Sequence, residues 1–332
     1  MAKDQANNEM AFNKSGHQRL SLEQLTKWEA LGYGMFIHFG MSTFDGRELS
    51  KGDKPSDFYA PDELDVDQWV RVARDAGMKY AILTTKHVSG HCLWPSDQTD
   101  YHVGTSSNPT DVVAQFVDAC RKYGIMPGFY YCSWDNHHLF GSVTPSQTLW
   151  NQAFTTEEYH RFQSAQIEEL LTRYGPIGEV WVDIPSVLPR GYRHKLYNRI
   201  AELQPDAVIM MNHGTGDGSK FRVEDAWPTD LIAIERFLPN SRIGHAVWRE
   251  IEGKNYYMPG EVCDPIGREW FYVEGDMPRS DEELLGMYLT SRSRKANLLL
   301  DVGPDKRGKI PQYYIDALMR LRENIIKVRG SI

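Results

Sequence analysis

The chain has few cysteines and no paired cysteine motif. Its 332 residues include four, Cys92, Cys120, Cys132 and Cys263, which lie far apart and never in a CxxC spacing. This spacing argues against a zinc ribbon and against a disulfide framework. The sequence therefore predicts free or buried thiols.

A surplus of basic residues is also absent, as are long apolar runs. The formal net charge is -8, and binding to nucleic acid needs clustered Lys and Arg, so we expect no nucleic-acid partner. The mean hydropathy is -0.51, and no apolar run is long enough to cross a bilayer, so we expect no membrane span. The first residues, "MAKDQANNEMAFNKSGHQRL", lack the apolar centre of a signal peptide, which favours a cytoplasmic location.

What the sequence does have is a repeated unit of a helical stretch followed by a short apolar run. Glycines 77, 124 and 175 follow helical stretches and are predicted to end them in a left-handed conformation. The clearest apolar runs after such stretches are "MKYAILTTKH", "IMPGFYYCSW", "EVWVDIP" and "AVIMMNHG". Helices that alternate with apolar strands indicate a parallel sheet.

Four more apolar runs bring the number of strands to eight. They are "YGMFIHFG", "DLIAIERF", a weaker "EWFYVEG" and "ANLLLDVG". Eight such units predict an α/β fold, a single-domain (β/α)₈ TIM-like barrel over residues 21–332 that follows a polar extension over residues 1–20. The alternative is an open doubly wound sheet, but no GxGxxG follows the first strand to support it.

The carboxyl ends of barrel strands usually carry the chemistry. Here these ends hold many carboxylates, imidazoles and aromatic rings: His38, Lys86, His87, Trp134, Asp135, Asp183, Asn212, His213, Glu235, Trp270 and Asp301. Asp183 is notable because it ends an apolar strand and is followed by Ile184 and Pro185. Two carboxylates on opposite sides of a glycosidic bond suffice for its hydrolysis. We therefore expect Asp183 and Glu235 to face each other across a sugar site.

Six motifs, in order, resemble those of α-L-fucosidases of glycoside hydrolase family 29. They are "YGMFIHFG", "KYAILTTKHVSGHCLWPS", "GFYYCSWD", "EVWVDI", "WFY" and "NLLLDVGPDKRGKIP", and they extend from about Trp28 to Pro311. The resemblance implies a retaining exo-glycosidase that removes terminal α-L-fucose by double displacement. It also implies that Asp183, which closes the tryptophan-containing fourth strand, is the nucleophile.

The general acid/base of this family is less regular in sequence. Glu235 in "AIERF" lies at a strand end and is the preferred candidate. Glu261 in "PGEVCD" is the alternative, because it resembles a recurrent family glutamate just before the "WFY" motif. Both assignments stay open at this point.

The resemblance further implies that His38, His87, Tyr131 and Trp181 contact the sugar, and Trp270 is a weaker candidate. The chain departs from the family pattern at two places. Relatives often read His-His-Asp-Gly where this chain reads "HVSG", and Glu-Trp-Tyr where it reads "DFY". Asp57, the first residue of "DFY", is therefore a further candidate.

The family implies a fucosylated glycan as substrate, with no metal and no other cofactor. Many relatives append a β-sandwich, and this chain ends at "ENIIKVRGSI", so we expect a catalytic domain alone. Two alternatives remain: a metal-dependent barrel hydrolase, suggested by the eleven histidines, and a sugar-binding pseudoenzyme, suggested by the altered histidine motif. The sequence leaves open a homo-oligomer, the linkage and the aglycone.

Overall fold

The chain folds around a barrel of parallel strands. The computed structural model describes residues 16–138, 152–240 and 247–332. The strands in these residues are β1 (Tyr33–Ile37), β2 (Tyr80–Lys86), β3 (Met126–Cys132), β4 (Glu179–Asp183), β5 (Val208–Asn212), β6 (Ile232–Glu235), β7 (Trp248–Ile251), β8 (Lys254–Tyr257), β9 (Gly260–Pro265) and β10 (Ala296–Asp301). Eight of them form one sheet in the order β5-β4-β3-β2-β1-β10-β9-β6, and each neighbouring pair is parallel.

Residues just before β6 close the gap between β5 and β6. The Asp230 backbone N–H donates to the Ile209 carbonyl at 2.8 Å, and the Asp230 carboxylate accepts from the Ile209 N–H at 2.9 Å. The Thr229 hydroxyl oxygen accepts from the Met211 N–H at 3.1 Å. These bonds satisfy backbone groups that a continuous ladder would otherwise pair. The sheet is therefore a nearly closed barrel in a single domain, which confirms the predicted fold class.

Local signals set where the helices begin and end. Ser21 and Ser280 each form a capping box with the third residue of the following helix. Gly124 ends a helix in the left-handed conformation, with φ 67°, as its position in the sequence predicts. The helices are α1 (Leu22–Glu29), α2 (Met41–Asp45), α3 (Val66–Asp75), α4 (Val112–Tyr123), α5 (Glu157–Arg173), α6 (Arg190–Leu203), α7 (Lys220–Ala226), α8 (Asp281–Ser293) and α9 (Gln312–Arg329).

The seventh barrel strand is not where the sequence pattern predicts it. The run "EWFYVEG" lies in a loop, and β9 takes the seventh place between β10 and β6. The prediction was wrong because Glu261 and Asp264 interrupt the apolar run of β9. Glu261 nevertheless points into the barrel, where Tyr80 and Trp181 donate hydrogen bonds to its carboxyl group.

The two long connections that follow β1 and β6 contain regular structure. The segment after β1 contains α2 and a short 3₁₀ helix, Ser56–Phe58. The segment after β6 contains the antiparallel hairpin of β7 and β8. In the first segment Tyr59 is fully buried and packs against Phe39, with 5.8 Å between ring centroids. Such packing of aromatic side chains anchors a long loop to the barrel.

The predicted polar extension lies mostly outside the described residues, of which the first is Gly16. Its last residues contact the barrel: the Arg19 guanidinium forms a salt bridge of 2.7 Å with Asp230, and Leu20 is buried. The boundary after residue 20 stays a prediction. In the part of the chain that the structure describes, no helix is long and apolar enough to cross a membrane.

Alternate residues of each barrel strand point into the interior, because side chains in a strand alternate between its two faces. On β4 these residues are Glu179, Trp181 and Asp183, in order from the amino end to the mouth of the barrel. The interior at the amino end has room for large side chains where β1 carries Gly34. A Cβ atom there would lie 2.5 Å from the Tyr80 ring. Asp183 thus stands at the mouth, with Trp181 and Glu179 below it.

Candidate active site

A pocket opens at the carboxyl ends of the barrel strands. Its volume is about 40 Å³, well below the usual range for ligand sites. The pocket is lined by Phe36, His38, Glu48, His87, Tyr130, Trp181, Asp183, Asn212, Glu235, Cys263 and Trp270. The structure therefore brings together six of the predicted site residues: His38, His87, Trp181, Asp183, Glu235 and Trp270.

The Asp183 carboxylate is held by three donors. The Tyr130 hydroxyl donates to Oδ2 at 2.6 Å, the Asn212 side-chain amide donates to Oδ1 at 2.7 Å, and the Ile184 backbone N–H donates as well. Burial raises the pKa of Asp183 above its usual range, and these hydrogen bonds oppose the rise by stabilising the carboxylate. The donors fix the orientation of Asp183 and offset part of its desolvation cost.

The Glu235 carboxyl group stands opposite Asp183 at the end of β6. Its Oε2 accepts a hydrogen bond of 2.8 Å from the Asn212 amide, and its Oε1 accepts one of 3.2 Å from the Thr215 hydroxyl. Burial and, second, the charge of Asp183 raise the pKa of Glu235 to about 7. Glu235 therefore keeps a proton in mildly acidic solution, where an unperturbed glutamate has lost it.

One amide nitrogen connects the two carboxyl groups. Asn212 Nδ2 has two hydrogens and directs one to Asp183 and the other to Glu235. Straight hydrogen bonds of 2.7 and 2.8 Å from hydrogens about 120° apart would put the two acceptor oxygens about 5 Å from each other. The arrangement places one acidic and one anionic group across a small gap, which suits acid/base and nucleophilic chemistry on a single bond.

The residue after each of these carboxyl groups has a left-handed backbone conformation. The φ angle is 51° at Ile184 and 63° at Arg236. Non-glycine residues rarely adopt such angles, and a β-branched residue adopts them at a cost of about 1–3 kcal/mol. At Ile184 the conformation returns the backbone N–H to the Asp183 carboxylate. At Arg236 it brings the N–H to the Cys263 carbonyl at 3.0 Å.

Two neutral histidines form another wall of the pocket. His38 Nδ1 lies 2.7 Å from Asp301 Oδ1, and burial lowers the pKa of His38 to about 3. In the tautomer that donates the Nδ1 hydrogen to Asp301, His38 Nε2 is an acceptor. His87 stacks on Tyr130 with 5.6 Å between centroids, and burial holds its pKa well below the usual range. Both rings can exchange hydrogen bonds with sugar hydroxyls.

Tryptophans complete the walls. The Trp270 ring lies 5.2 Å from the His38 ring, and the Arg236 guanidinium stacks over it at 4.7 Å from the centroid. Trp181 packs edge-on against Phe36 at 5.1 Å between centroids. Flat aromatic surfaces beside directional polar groups are typical of sites that bind ring-shaped polar ligands. Across residues 16–138, 152–240 and 247–332 no three His, Cys, Asp or Glu side chains gather as a metal-binding group.

Comparison with known proteins identifies the family of this chain. The family model described as Alpha-L-fucosidase matches residues 50–324. The chain belongs to the alpha-L-fucosidase family. Alpha-L-fucosidase 1 of Arabidopsis thaliana is 32% identical over 323 residues, which cover 92% of this chain and 60% of the plant protein. The chain thus spans about three fifths of the length of that relative.

Solved structures of alpha-L-fucosidases share the fold. Alpha-L-fucosidase isoenzyme 1 from Paenibacillus thiaminolyticus has a TM-score of 0.76 at 27% identity, with 93% of this chain and 76% of that chain covered. Alpha-L-fucosidase AlfC from Lactobacillus casei in complex with alpha-L-fucose product has a TM-score of 0.73 at 22% identity, with coverages of 93% and 99%. The second similarity shows the fold alone.

Two of the sugar contacts predicted for this alpha-L-fucosidase family member lie away from the pocket. Tyr131 points out of the barrel, and its hydroxyl donates to Gln166 at 2.7 Å. Its neighbour Tyr130 lines the pocket instead, because adjacent strand residues face opposite sides. Asp57 is exposed in the 3₁₀ helix, where its carbonyl accepts from the Ser107 hydroxyl. The structure therefore corrects both positions.

Glu261, the alternative acid/base, lies below the pocket. It is fully buried, and its carboxyl oxygens accept hydrogen bonds from Tyr80 at 2.6 Å and from Trp181 at 2.8 Å. It is not among the pocket-lining residues. The indole of Trp181 therefore separates Glu261 from any group bound beside Asp183.

Sequence reasoning did not name five of the pocket residues as site residues: Phe36, Glu48, Tyr130, Asn212 and Cys263. Asn212 ends β5 and was visible as a strand-end residue, but an amide gives no sign that it bridges two carboxyl groups. Strict alternation along β3 would have selected Tyr130 over Tyr131. Glu48 lies in the long segment after β1, where no period predicts which side chains turn inward.

The two adjacent tyrosines provide a matched test. Tyr130→Phe removes a hydrogen bond to a charged group, worth about 1.5–3 kcal/mol, so kcat/KM on a fucoside should fall about 10- to 100-fold. Because that bond lowers the pKa of Asp183, its loss should move the acidic limb of the pH profile to higher pH. Tyr131→Phe should lower thermal stability and leave the pH profile in place. Equal effects of the two variants on the pH profile would contradict this placement.

Proposed function

We propose that this protein is a retaining exo-glycosidase that releases terminal α-L-fucose from oligosaccharides or glycoconjugates, with Asp183 as nucleophile and Glu235 as general acid/base. Membership of the alpha-L-fucosidase family supports the sugar. The observation that carries the mechanism is the shared Asn212 amide, which supports a separation of about 5 Å between the carboxyl groups. Retaining glycosidases use about 5–5.5 Å, whereas inverting enzymes leave a wider gap for water.

In the first step Asp183 attacks the anomeric carbon while Glu235 donates its proton to the departing glycosidic oxygen. The raised pKa of Glu235, about 7, keeps that proton available at the start of the reaction. The leaving alcohol departs, and an ester forms between the sugar and Asp183. Both groups act from fixed positions, so little reorganisation is needed.

In the second step the same glutamate acts as a base. Esterification removes the negative charge of Asp183, which is the second cause of the raised pKa of Glu235. The pKa of Glu235 should therefore fall after the first step, and the ionised carboxylate can take a proton from water. Water then attacks the anomeric carbon, and two inversions give net retention.

The pocket suits a single deoxysugar. Neutral His38 and His87 offer hydrogen-bonding groups for hydroxyls, whereas Phe36, Trp181 and Trp270 offer apolar surface for the ring face and a methyl group. The pocket is small, with a volume of about 40 Å³, which leaves no room for a second sugar unit. The proposal therefore assigns an exo mode of action, in which the rest of the fucosylated glycan lies outside the pocket.

A screen of aryl glycosides that differ only in the sugar tests this proposal. We expect turnover of the α-L-fucoside and little of the α-L-rhamnoside, α-D-galactoside or β-D-fucoside, with α-L-fucose as the first-formed anomer by proton NMR. Activity should survive a strong chelator, as expected for a reaction carried by two carboxyl groups. Absence of fucoside turnover would support a binding protein, and β-L-fucose as first product would refute retention.

A further inference from the structure

Two carboxyl groups meet inside the barrel, below the pocket. Glu179 on β4 and Glu261 on β9 are both fully buried, and we call them the glutamate pair. The Trp181 indole N–H lies between them and donates to Glu179 Oε1 at 2.9 Å and to Glu261 Oε2 at 2.8 Å. The same indole contributes to the pocket.

The other two oxygens of the pair also have donors. Trp28 Nε1 donates to Glu179 Oε2 at 2.9 Å, and the Tyr80 hydroxyl donates to Glu261 Oε1 at 2.6 Å. Burial raises the pKa of both groups. The three donors, Trp28, Tyr80 and Trp181, therefore satisfy all four carboxyl oxygens of the pair.

The fold alone does not account for such a pair. Barrel interiors are usually filled by branched apolar side chains, and burying two carboxyl groups among them carries a desolvation cost. Trp181 supplies a reason. Its ring packs against Phe36 and, at 6.3 Å between centroids, against Tyr130. Tyr130 in turn donates to the Asp183 carboxylate.

We propose that the glutamate pair positions Trp181 for the reaction: the two carboxyl groups hold the indole N–H from both sides and so fix the apolar floor on which the fucose ring rests. This inference rests on the proposed function. Glu179 and Glu261 touch no substrate in this account, and they act through Trp181.

Hydrogen-bond complementarity makes the two glutamates unequal. Both oxygens of Glu179 face indole N–H groups, which can only donate. A glutamine at 179 must therefore turn its NH₂ group toward one of two donors. Glu261 faces one indole and the Tyr80 hydroxyl, and a hydroxyl can also accept. A glutamine at 261 can therefore turn its NH₂ group toward Tyr80 and keep its oxygen on Trp181.

The test compares Glu179→Gln with Glu261→Gln. Steady-state kinetics on nitrophenyl α-L-fucoside should show KM raised about tenfold in Glu179→Gln and changed less than about threefold in Glu261→Gln. Trp28→Phe removes one of the two donors that face residue 179. In the double variant Trp28→Phe/Glu179→Gln, KM should therefore return most of the way to the wild-type value. Trp28→Phe alone should lower the melting temperature with KM nearly unchanged.

A third variant covers the case in which Glu179→Gln does not fold. Trp28→Phe/Glu179→Met removes the Trp28 donor together with its acceptor, which limits the loss of stability, and it leaves Trp181 one acceptor, on Glu261, in place of two. KM should therefore rise several-fold in this variant and stay near the wild-type value in Trp28→Phe/Glu179→Gln. Equal KM in the two glutamine variants, no recovery in the double variant, or a lowered melting temperature with unchanged KM would overturn the inference. Absence of turnover in the wild type would instead refute the proposed function and, with it, this role.

Discussion

Replacing Asp183 by glycine is expected to abolish hydrolysis of fucosides. The carboxylate lies at the mouth of the barrel, oriented by Tyr130 and Asn212, and it is the proposed nucleophile that forms the covalent intermediate. We expect kcat/KM to fall by roughly a thousandfold or more. Asp57→Asn is the matched control, because Asp57 is exposed outside the pocket, and it should keep wild-type activity.

Azide should restore part of the activity of Asp183→Gly with an activated aryl fucoside. The small anion fits the space left by the carboxylate and attacks from the same side, which gives the β-fucosyl azide in one inversion. Product anomers are assigned by proton NMR. Near-wild-type activity of Asp183→Gly without azide would remove Asp183 from the nucleophile role.

The second large effect is expected for Glu235→Ala, and its size should depend on the leaving group. A glycan alkoxide leaves only with a proton, so activity on natural fucosides should fall about 100- to 10 000-fold. A dinitrophenolate leaves without one, so the first step on that substrate should be largely retained. The basic limb of the pH profile, expected near pH 7 from the pKa of Glu235, should flatten, because the group that loses its proton there is gone.

Azide separates Glu235 from Glu261. In Glu235→Ala it should accelerate breakdown of the intermediate and give the α-fucosyl azide, because the intact Asp183 has already inverted the anomeric centre once. Glu261→Ala should lower activity on both substrate classes alike and gain nothing from azide, since Glu261 lies below Trp181. The opposite pattern would transfer the acid/base role to Glu261.

The barrel was predictable because it depends on periodic patterns. The apolar runs of β1 to β6 and of β10 are short, regular and bounded by turn residues, so the sequence predicts them directly. β9 was missed because Glu261 and Asp264 break its apolar pattern. The carboxyl group of Glu261 is tolerated in the interior only because donors on other strands, Tyr80 and Trp181, satisfy it. Such compensation across strands leaves no local mark in the sequence.

The site was predictable where a residue's role follows from its place at a strand end. His38, Asp183 and Glu235 were named in this way, and all three line the pocket. Tyr131 was chosen in place of Tyr130 because the prediction followed the family motif and did not consider that side chains alternate between the two faces of a strand. Asn212 was seen at its strand end, but its bridging of two carboxyl groups depends on the curvature of the barrel, which brings β5 next to β6. That closure is a property of the whole sheet.

The central claim is that Asp183 forms a covalent bond with the sugar, and trapping tests it most directly. A 2-deoxy-2-fluoro-L-fucosyl fluoride should react with the wild type and trap the intermediate. The fluorine at C2 slows both steps, whereas the good fluoride leaving group speeds only the first, so the covalent intermediate accumulates. Mass spectrometry should then find one fluorofucosyl group per chain, on the peptide that contains Asp183, and none in Asp183→Gly. A label on another carboxylate, or no label on an enzyme that turns over fucosides, would contradict the account.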